Sequence, residues 1–265
     1  MPPPSRADRA LIAAFLVLLP GRALAEEAIT PALQGGSWSH EVPLDLPPAP
    51  AGMVPQLSLV YDFRTPDGPL GPGFSLSGLS RIDRRGQTLG TPAHDASDLF
   101  ALDGQLLWEE GSYYHTEVDD ERYFSYSEAL NHWVALRDGW TWVYGGLDDG
   151  ANGCALETTE ELAAYPCEAR SSTPGFDQTT AWLLSSVEDP WGNTVEYHYA
   201  SLDDVDLDPG RLGGPFDYAY QQVISEVVYG NGLHAVSFEY HGRDDARVDA
   251  RSGVARVLAG RLEAI

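Results

Sequence analysis

Apolar residues recur at every second position through most of this 265-residue chain, and turn residues interrupt that alternation every 8 to 12 positions or so. A period of two fits a strand with one face buried and does not fit a helix, so the chain is constrained to hairpins. Leu57, Leu59 and Tyr61 alternate with Ser58 and Val60 over 56–61. Thr65-Pro66-Asp67-Gly68 then turns the chain before Phe74 and Leu76 resume the pattern. Strands over 99–102 and 105–108 flank Asp103-Gly104, and strands over 133–137 and 140–144 flank Asp138-Gly139. Asp-Gly supplies the two positive φ angles of a tight type I′ turn. Longer hairpins follow, 181–188 with 194–199 across Asp189-Pro190-Trp191-Gly192-Asn193, and 221–229 with 233–240 across Gly230-Asn231-Gly232. Both end in aromatic alternation, Tyr197/Tyr199 and Phe238/Tyr240, which reads as a loose repeat of stacked hairpin units. The expected fold is all-β: repeated antiparallel hairpins forming part of a β-shell or a sandwich-like sheet.

Two segments depart from that pattern. The run Val42 to Gly52 carries four prolines at positions 43, 47, 48 and 50, too many for a central strand. It reads as a linker or as a strap laid across the sheet. Between Cys154 and Cys167, Thr158 to Tyr165 has the pattern of one short helix opened by a Thr158/Glu161 capping box and stopped at Pro166. Two cysteines allow one intramolecular pairing, and a structural Cys154–Cys167 disulfide would close a loop of about 14 residues, contributing roughly 3 kcal/mol.

A disulfide requires an oxidising compartment, and the N-terminus provides the route. Residues 1–25 read as a signal peptide: Arg6 and Arg9, an apolar stretch Ala10 to Leu19, Pro20, then Ala23-Leu24-Ala25 ahead of Glu26. Ten apolar residues make a helix of about 15 Å against a hydrocarbon core of about 30 Å, so cleavage is expected rather than anchoring. The product is expected to be secreted to the extracellular space through the periplasm, with no membrane insertion after signal removal. Residues 26–52 form the Pro-rich lead and 53–265 the β domain. The formal charge is −24, with sixteen Arg and no Lys, and loss of the leader's three Arg and one Asp makes it −26. Such a surface repels phosphate and excludes nucleic acid as a partner, while 43% hydrophobic and 11% aromatic residues exclude a disordered acidic tail.

Chemistry is harder to find. The sequence contains neither a G-x-S-x-G elbow nor H-E-x-x-H, and its seven His are scattered. Acidic pairs such as Glu109/Glu110, Asp119/Asp120/Glu121 and Asp148/Asp149 lie in turns, where solvation explains them; a hydrolase using one of them is a distant reading. Asp204, Asp206 and Asp208 have calcium-loop spacing, but Gly210 falls one place late and Pro215 stands where the closing Glu belongs, leaving a weak calcium candidate. No catalytic residue, no cofactor and no firm metal site are expected, so the chain reads as not an enzyme. Trp140 and Trp142 share a strand face, with Trp133 opposite, as core or, if exposed, as a carbohydrate-binding platform.

The string Pro50-Ala51-Gly52-Met53-Val54-Pro55-Gln56-Leu57-Ser58-Leu59-Val60-Tyr61, continued by Asp67-Gly68-Pro69-Leu70-Gly71-Pro72-Gly73-Phe74 and Leu76-Ser77 to Ile82, resembles the opening of the SpvB family and of the B components of insecticidal toxin complexes. Phe74 stands where Trp is usual, and Pro72 where an apolar residue is usual. Asp138-Gly139-Trp140 to Gly145 is similar to a later hairpin of that family. Trp182 through Asp189 and Asn193 to Tyr199 is similar to its YD-repeat unit, shared with Rhs-type proteins. The resemblance implies a secreted, non-enzymatic β-scaffold that packages or delivers a toxin, with other parts of a toxin complex or a C-terminal toxin/Rhs polypeptide as partners. The alternative is a secreted carbohydrate- or surface-binding module. The transferase chemistry of the Salmonella protein is not implied, since no late Glu-x-Glu pair occurs. Residues 256–265 read as the first strand of a further hairpin with no partner, which suggests a domain incomplete at its C-terminus.

Overall fold

The computed structural model describes residues 31–32, 37–145 except 119 and 129, 168–170, 179–201, 219–220, 222–250 and 256–265. In chain order the strands are β1 (Pro31–Ala32), β2 (Ser37–Pro43), β3 (Ser58–Asp62), β4 (Phe74–Ser77), β5 (Arg81–Arg85), β6 (Leu99–Leu102) and β7 (Gln105–Glu110). Next come β8 (Tyr113–Thr116), β9 (Tyr123–Ser127), β10 (His132–Arg137), β11 (Trp140–Gly145), β12 (Glu168–Arg170) and β13 (Thr179–Glu188). The last are β14 (Thr194–Ser201), β15 (Ala219–Tyr220), β16 (Gln222–Tyr229), β17 (His234–Ser237), β18 (Glu239–Asp249) and β19 (Arg256–Ala264). The all-β expectation holds: among the described residues the one helical element is a 3-10 turn, Pro50–Gly52. The expected helix over 158–165 and the Cys154–Cys167 pair lie outside the described residues, as do the signal peptide and the calcium candidates Asp204, Asp206 and Asp208.

The sequence pointed to a shell or a sandwich; the structure contains a closed barrel. Strands β5 to β11 pair antiparallel in sequence order, and β13 completes an eight-strand ring by pairing with β5 on one side and β11 on the other. Closure is staggered along β13. Ala181 to Leu183 face β5, whereas Leu184 to Glu188 face β11. A bulge sits at the changeover, and the Ser185 hydroxyl fills it by donating to the Val143 and Gly145 carbonyls at 3.0 and 3.1 Å. Past the end of β5, Ser186 to Glu188 turn to β14, so the ring continues into an extension β13-β14-β16-β17. The two repeated hairpins form that extension, joined through β14 and β16.

Both Asp-Gly turns behave as expected, with φ of 47° and 87° at Asp103-Gly104 and 51° and 81° at Asp138-Gly139. Asp189 organises the longer turn, accepting from the Trp191 and Asn193 backbone amides, both at 2.9 Å, and from the Asn193 side-chain amide at 2.7 Å. Burial works against its charge, but these donors prevail and hold the Asp189 carboxyl below the usual carboxylate range.

The Pro-rich lead is a strap. After β2 pairs with β3 in a second sheet, β1-β2-β3-β4, Leu44, Leu46 and Ala49 pack on the main core, and the Tyr229 hydroxyl donates to the Pro47 carbonyl at 3.1 Å.

The last strand is not solitary. β19 lies between β18, antiparallel, and β15, parallel, in a third sheet. The single strand expected over 233–240 breaks at Phe238, whose backbone amide donates to the Ser225 carbonyl at 2.9 Å, and the chain leaves the main sheet there as β18. That break supplies the partner that the sequence did not show.

Candidate functional site

Barrel strands place alternate residues inward, and here the inward set is aromatic. Trp133, Trp182 and Phe124 are fully buried, and Phe100 lies 4.9 Å from Trp133 and 5.7 Å from Trp182, centroid to centroid. Tyr114 and Tyr126 each lie 5.0 Å from Trp133. Edge-to-face contacts of this kind stabilise beyond their area. The barrel interior is a packed core, not a channel.

Two arginines cover that core. Arg84 lies over Phe100 and Trp182, at 5.4 and 5.6 Å, pairs with the buried Asp98 carboxylate at 3.3 Å, and donates to the Thr179 carbonyl at 3.1 Å. Arg122 lies over Phe124 and Trp142, at 5.5 and 5.7 Å, and pairs with Asp120 at 2.5 Å. Burial opposes both charges of the second pair, but the hydrogen bonds and the mutual field outweigh it. Arg122 is held above and Asp120 below its ordinary value. Guanidinium groups suit this position because their flat faces stack on rings while their edges meet carboxylates. Asn131 ties the barrel's seam: its carbonyl oxygen accepts from Trp182 Nε1 and from the Tyr126 hydroxyl, both at 3.0 Å, and its amide donates to Thr179 Oγ1 at 2.9 Å.

Beside Arg122 the inward face of β11 runs out into a cleft of ≈ 510 Å³. Trp140 and Trp142 line it together with Gly52 at the end of the strap and Met53 to Gln56 that follow, and Tyr144, Tyr197, Ser80 and Asp103 also line it. The two indoles stack at 6.0 Å and 21° and are half-buried, so they are neither fully core nor fully exposed. Trp133, on the same face, is core. Ser80 donates to Asp103 at 2.6 Å and sits 3.3 Å from the Tyr144 hydroxyl. Desolvation pushes the phenols of Tyr144 and Tyr197 up to about 12, so both remain protonated donors at neutral pH.

A separate charged cluster docks the third sheet. A bulge in β18 between Gly242 and Arg247 turns the Arg243 side chain inward, where 1% of it is exposed. It donates to Asp67 at 2.7 Å and Asp245 at 2.9 Å, and to the Gly68 carbonyl at 3.4 Å. Arg247 meets the same Asp67 oxygen at 2.9 Å, and the Leu262 amide donates to the Pro69 carbonyl at 2.7 Å. The turn Thr65 to Gly68 is thus the landing site for β18 and β19. Of the acidic groups weighed from the sequence, Glu109 and Glu110 are exposed, while Asp120 serves Arg122. Among the described residues no group of three His, Cys, Asp or Glu is placed to hold a metal. Arg84, Arg122, Asn131 and Arg243 were not visible as a set, because no local pattern marks a charge destined for a ring face or a buried turn.

Residues 32–145 match the family model described as Salmonella virulence plasmid 65kDa B protein. The matched region is 114 residues long, under half of the 265-residue chain. That region runs through β11, so it contains the strap, the turn Thr65 to Gly68 and seven of the eight barrel strands. The N-terminal domain of effector protein SpvB from Salmonella typhimurium strain LT2 has the same fold, with a TM-score of 0.64 at 18% identity over 84% of this chain and 85% of that domain. The TcdB2-TccC3-TEV crystal structure matches with a TM-score of 0.70 at 18% identity, and the Photorhabdus luminescens Tc holotoxin pore with 0.69 at 17%. These cover 92% and 89% of this chain, which in turn spans only 14% and 13% of theirs. A comparison with curated proteins finds no match.

Proposed function

We propose that this SpvB-type chain is a secreted, non-enzymatic scaffold module of a toxin-complex or virulence protein, serving toxin packaging or delivery. The observation that carries the reading is the recurrence of this fold, over 89% and 92% of the chain, inside structures of toxin assemblies. Two physical features support it. The aromatic interior leaves no lumen, so a partner must be met by outer faces and sheet edges. Among the described residues β17 ends the main sheet and pairs only with β16, an edge suited to extension by a further strand.

Co-expression with a TccC-type polypeptide tests this directly. The expected result is co-purification and protection of that polypeptide from protease; separate elution with unchanged digestion would overturn the reading. Secretion is checked in the same experiment by N-terminal sequencing of exported material, which should begin at Glu26.

A further inference from the structure

We propose that the cleft lined by Trp140 and the end of the strap binds a neutral sugar ring of a glycan, with Trp140 as the stacking surface and Asp103 and Tyr197 as its hydrogen-bonding groups. This goes beyond the scaffold reading and stands or falls separately from it. The cleft volume of ≈ 510 Å³ lies within the common range for small-ligand sites, roughly 300–1,000 Å³. Trp142 already has two ring partners, Arg122 and Trp140, whereas among the described residues Trp140 has ring contact with Trp142 alone. The stack therefore ends at a half-buried indole on the cleft wall, where another flat face can continue it.

Tyr197 supplies the second, independent observation. The residue is only 5% exposed, lines the cleft, and its hydroxyl makes no hydrogen bond to any described residue. The hydroxyl is not among the sealed-off polar atoms of the described residues, so it reaches solvent at the cleft it lines and keeps its hydrogen bonds free for a ligand. Asp103 accepts from Ser80 Oγ at 2.6 Å and from the Arg81 amide at 2.9 Å, which leaves about two of its four acceptor positions for a ligand.

These groups select a chemical class. Arg122, the one cation among the described lining residues, is already paired with Asp120 at 2.5 Å and lies over Trp142, so the charge left facing a ligand is the Asp103 carboxylate, which disfavours phosphates and uronic acids. A pyranose presents hydroxyls that donate to Asp103 and accept from Tyr197, and a C–H face that packs on indole.

The test titrates the full chain with five neutral probes, the tetrasaccharides of β-1,4-glucose, α-1,4-glucose, N-acetylglucosamine, galactose and mannose, read by tryptophan fluorescence and calorimetry. At least one is expected to bind saturably. Trp140→Ala should weaken that binding about tenfold. Tyr197→Phe, which removes one oxygen and little volume, should weaken it about threefold or more at an unchanged melting temperature. Trp108→Ala, on an exposed indole away from the cleft, should leave it unaltered. Failure of all five probes to bind folded protein overturns the proposal, as does binding that survives both Trp140→Ala and Tyr197→Phe.

Discussion

The barrel and the C-terminal sheet β15-β19-β18 are made from the same period-two strands, yet opposite interactions hold them in place. The barrel is closed around touching aromatic rings, and its charged groups, Arg84 and Arg122, lie over that core paired with Asp98 and Asp120. Among the described residues the C-terminal sheet packs only Tyr240 and Leu262 on the main core, and docks besides through a guanidinium carried into the interior and met there by Asp67. Ring packing is spread over many contacts, so a small shift loses only part of it. A buried ion pair tolerates no such shift, because either partner alone is a desolvated charge. Loss of the barrel core should therefore be felt by the whole chain, and loss of the ion pair by one sheet.

Four measurements break or sharpen that contrast. Trp133→Ala empties the centre of the barrel and should cost about 3–5 kcal/mol in denaturant unfolding. A loss under about 1 kcal/mol would mean that the rings do not hold the barrel. Arg243→Met should cost about 3 kcal/mol, because it strips the buried Asp67 of its deepest partner. Hydrogen exchange should rise in β18 and β19 and not in β5 to β11; a uniform rise would dissolve the distinction between the regions.

Gly145→Ala probes the seam itself. Gly145 has φ of 68°, and an added Cβ would come 2.5 Å from the Trp182 ring. The expected loss is about 2 kcal/mol, seen as faster exchange where β11 meets β13. An unchanged seam would show that closure does not depend on this approach.

The smallest effect is an acid one. The hydrogen bond and charge of Arg243 draw the Asp245 carboxyl down to about 2 from the ordinary 3.8. A folded value below the unfolded one stabilises fully above about pH 4, and that contribution disappears as pH falls through about 2. The C-terminal sheet should loosen over that window, and Asp245→Asn should remove the pH dependence of its exchange. Identical acid profiles for the variant and the parent would show that this carboxylate does not couple to docking.

Local chemistry was readable in advance where one stretch of chain contains its own cause. Asp103-Gly104 and Asp138-Gly139 turn as their φ angles require, and Asp189 builds its turn from donors within four residues. Prolines 47, 48 and 50 keep the lead out of the main sheet, whereas Pro43 still pairs with Ser58 at the end of β2. The SpvB-like string from Pro50 to Phe74 is legible for the same reason: glycines at 71 and 73 adopt φ of 92° and 83°. The cleft was half legible. The shared face of Trp140 and Trp142 follows from their spacing, but Tyr197 comes to the cleft from β14 and Asp103 from the turn between β6 and β7.

Alternation by itself determined that this chain is all-β, which residues turn inward, and where most hairpins reverse. It could not decide which edges meet. Period two specifies the face of a strand and is silent about its neighbour, since backbone pairing looks alike along every edge. Closure of β11 on β13, and seating of β19 between β18 and β15, required contacts between distant segments. Only the tertiary structure, by bringing Trp182 to Asn131 and Arg243 to Asp67, turned a row of hairpins into a barrel with a docked sheet.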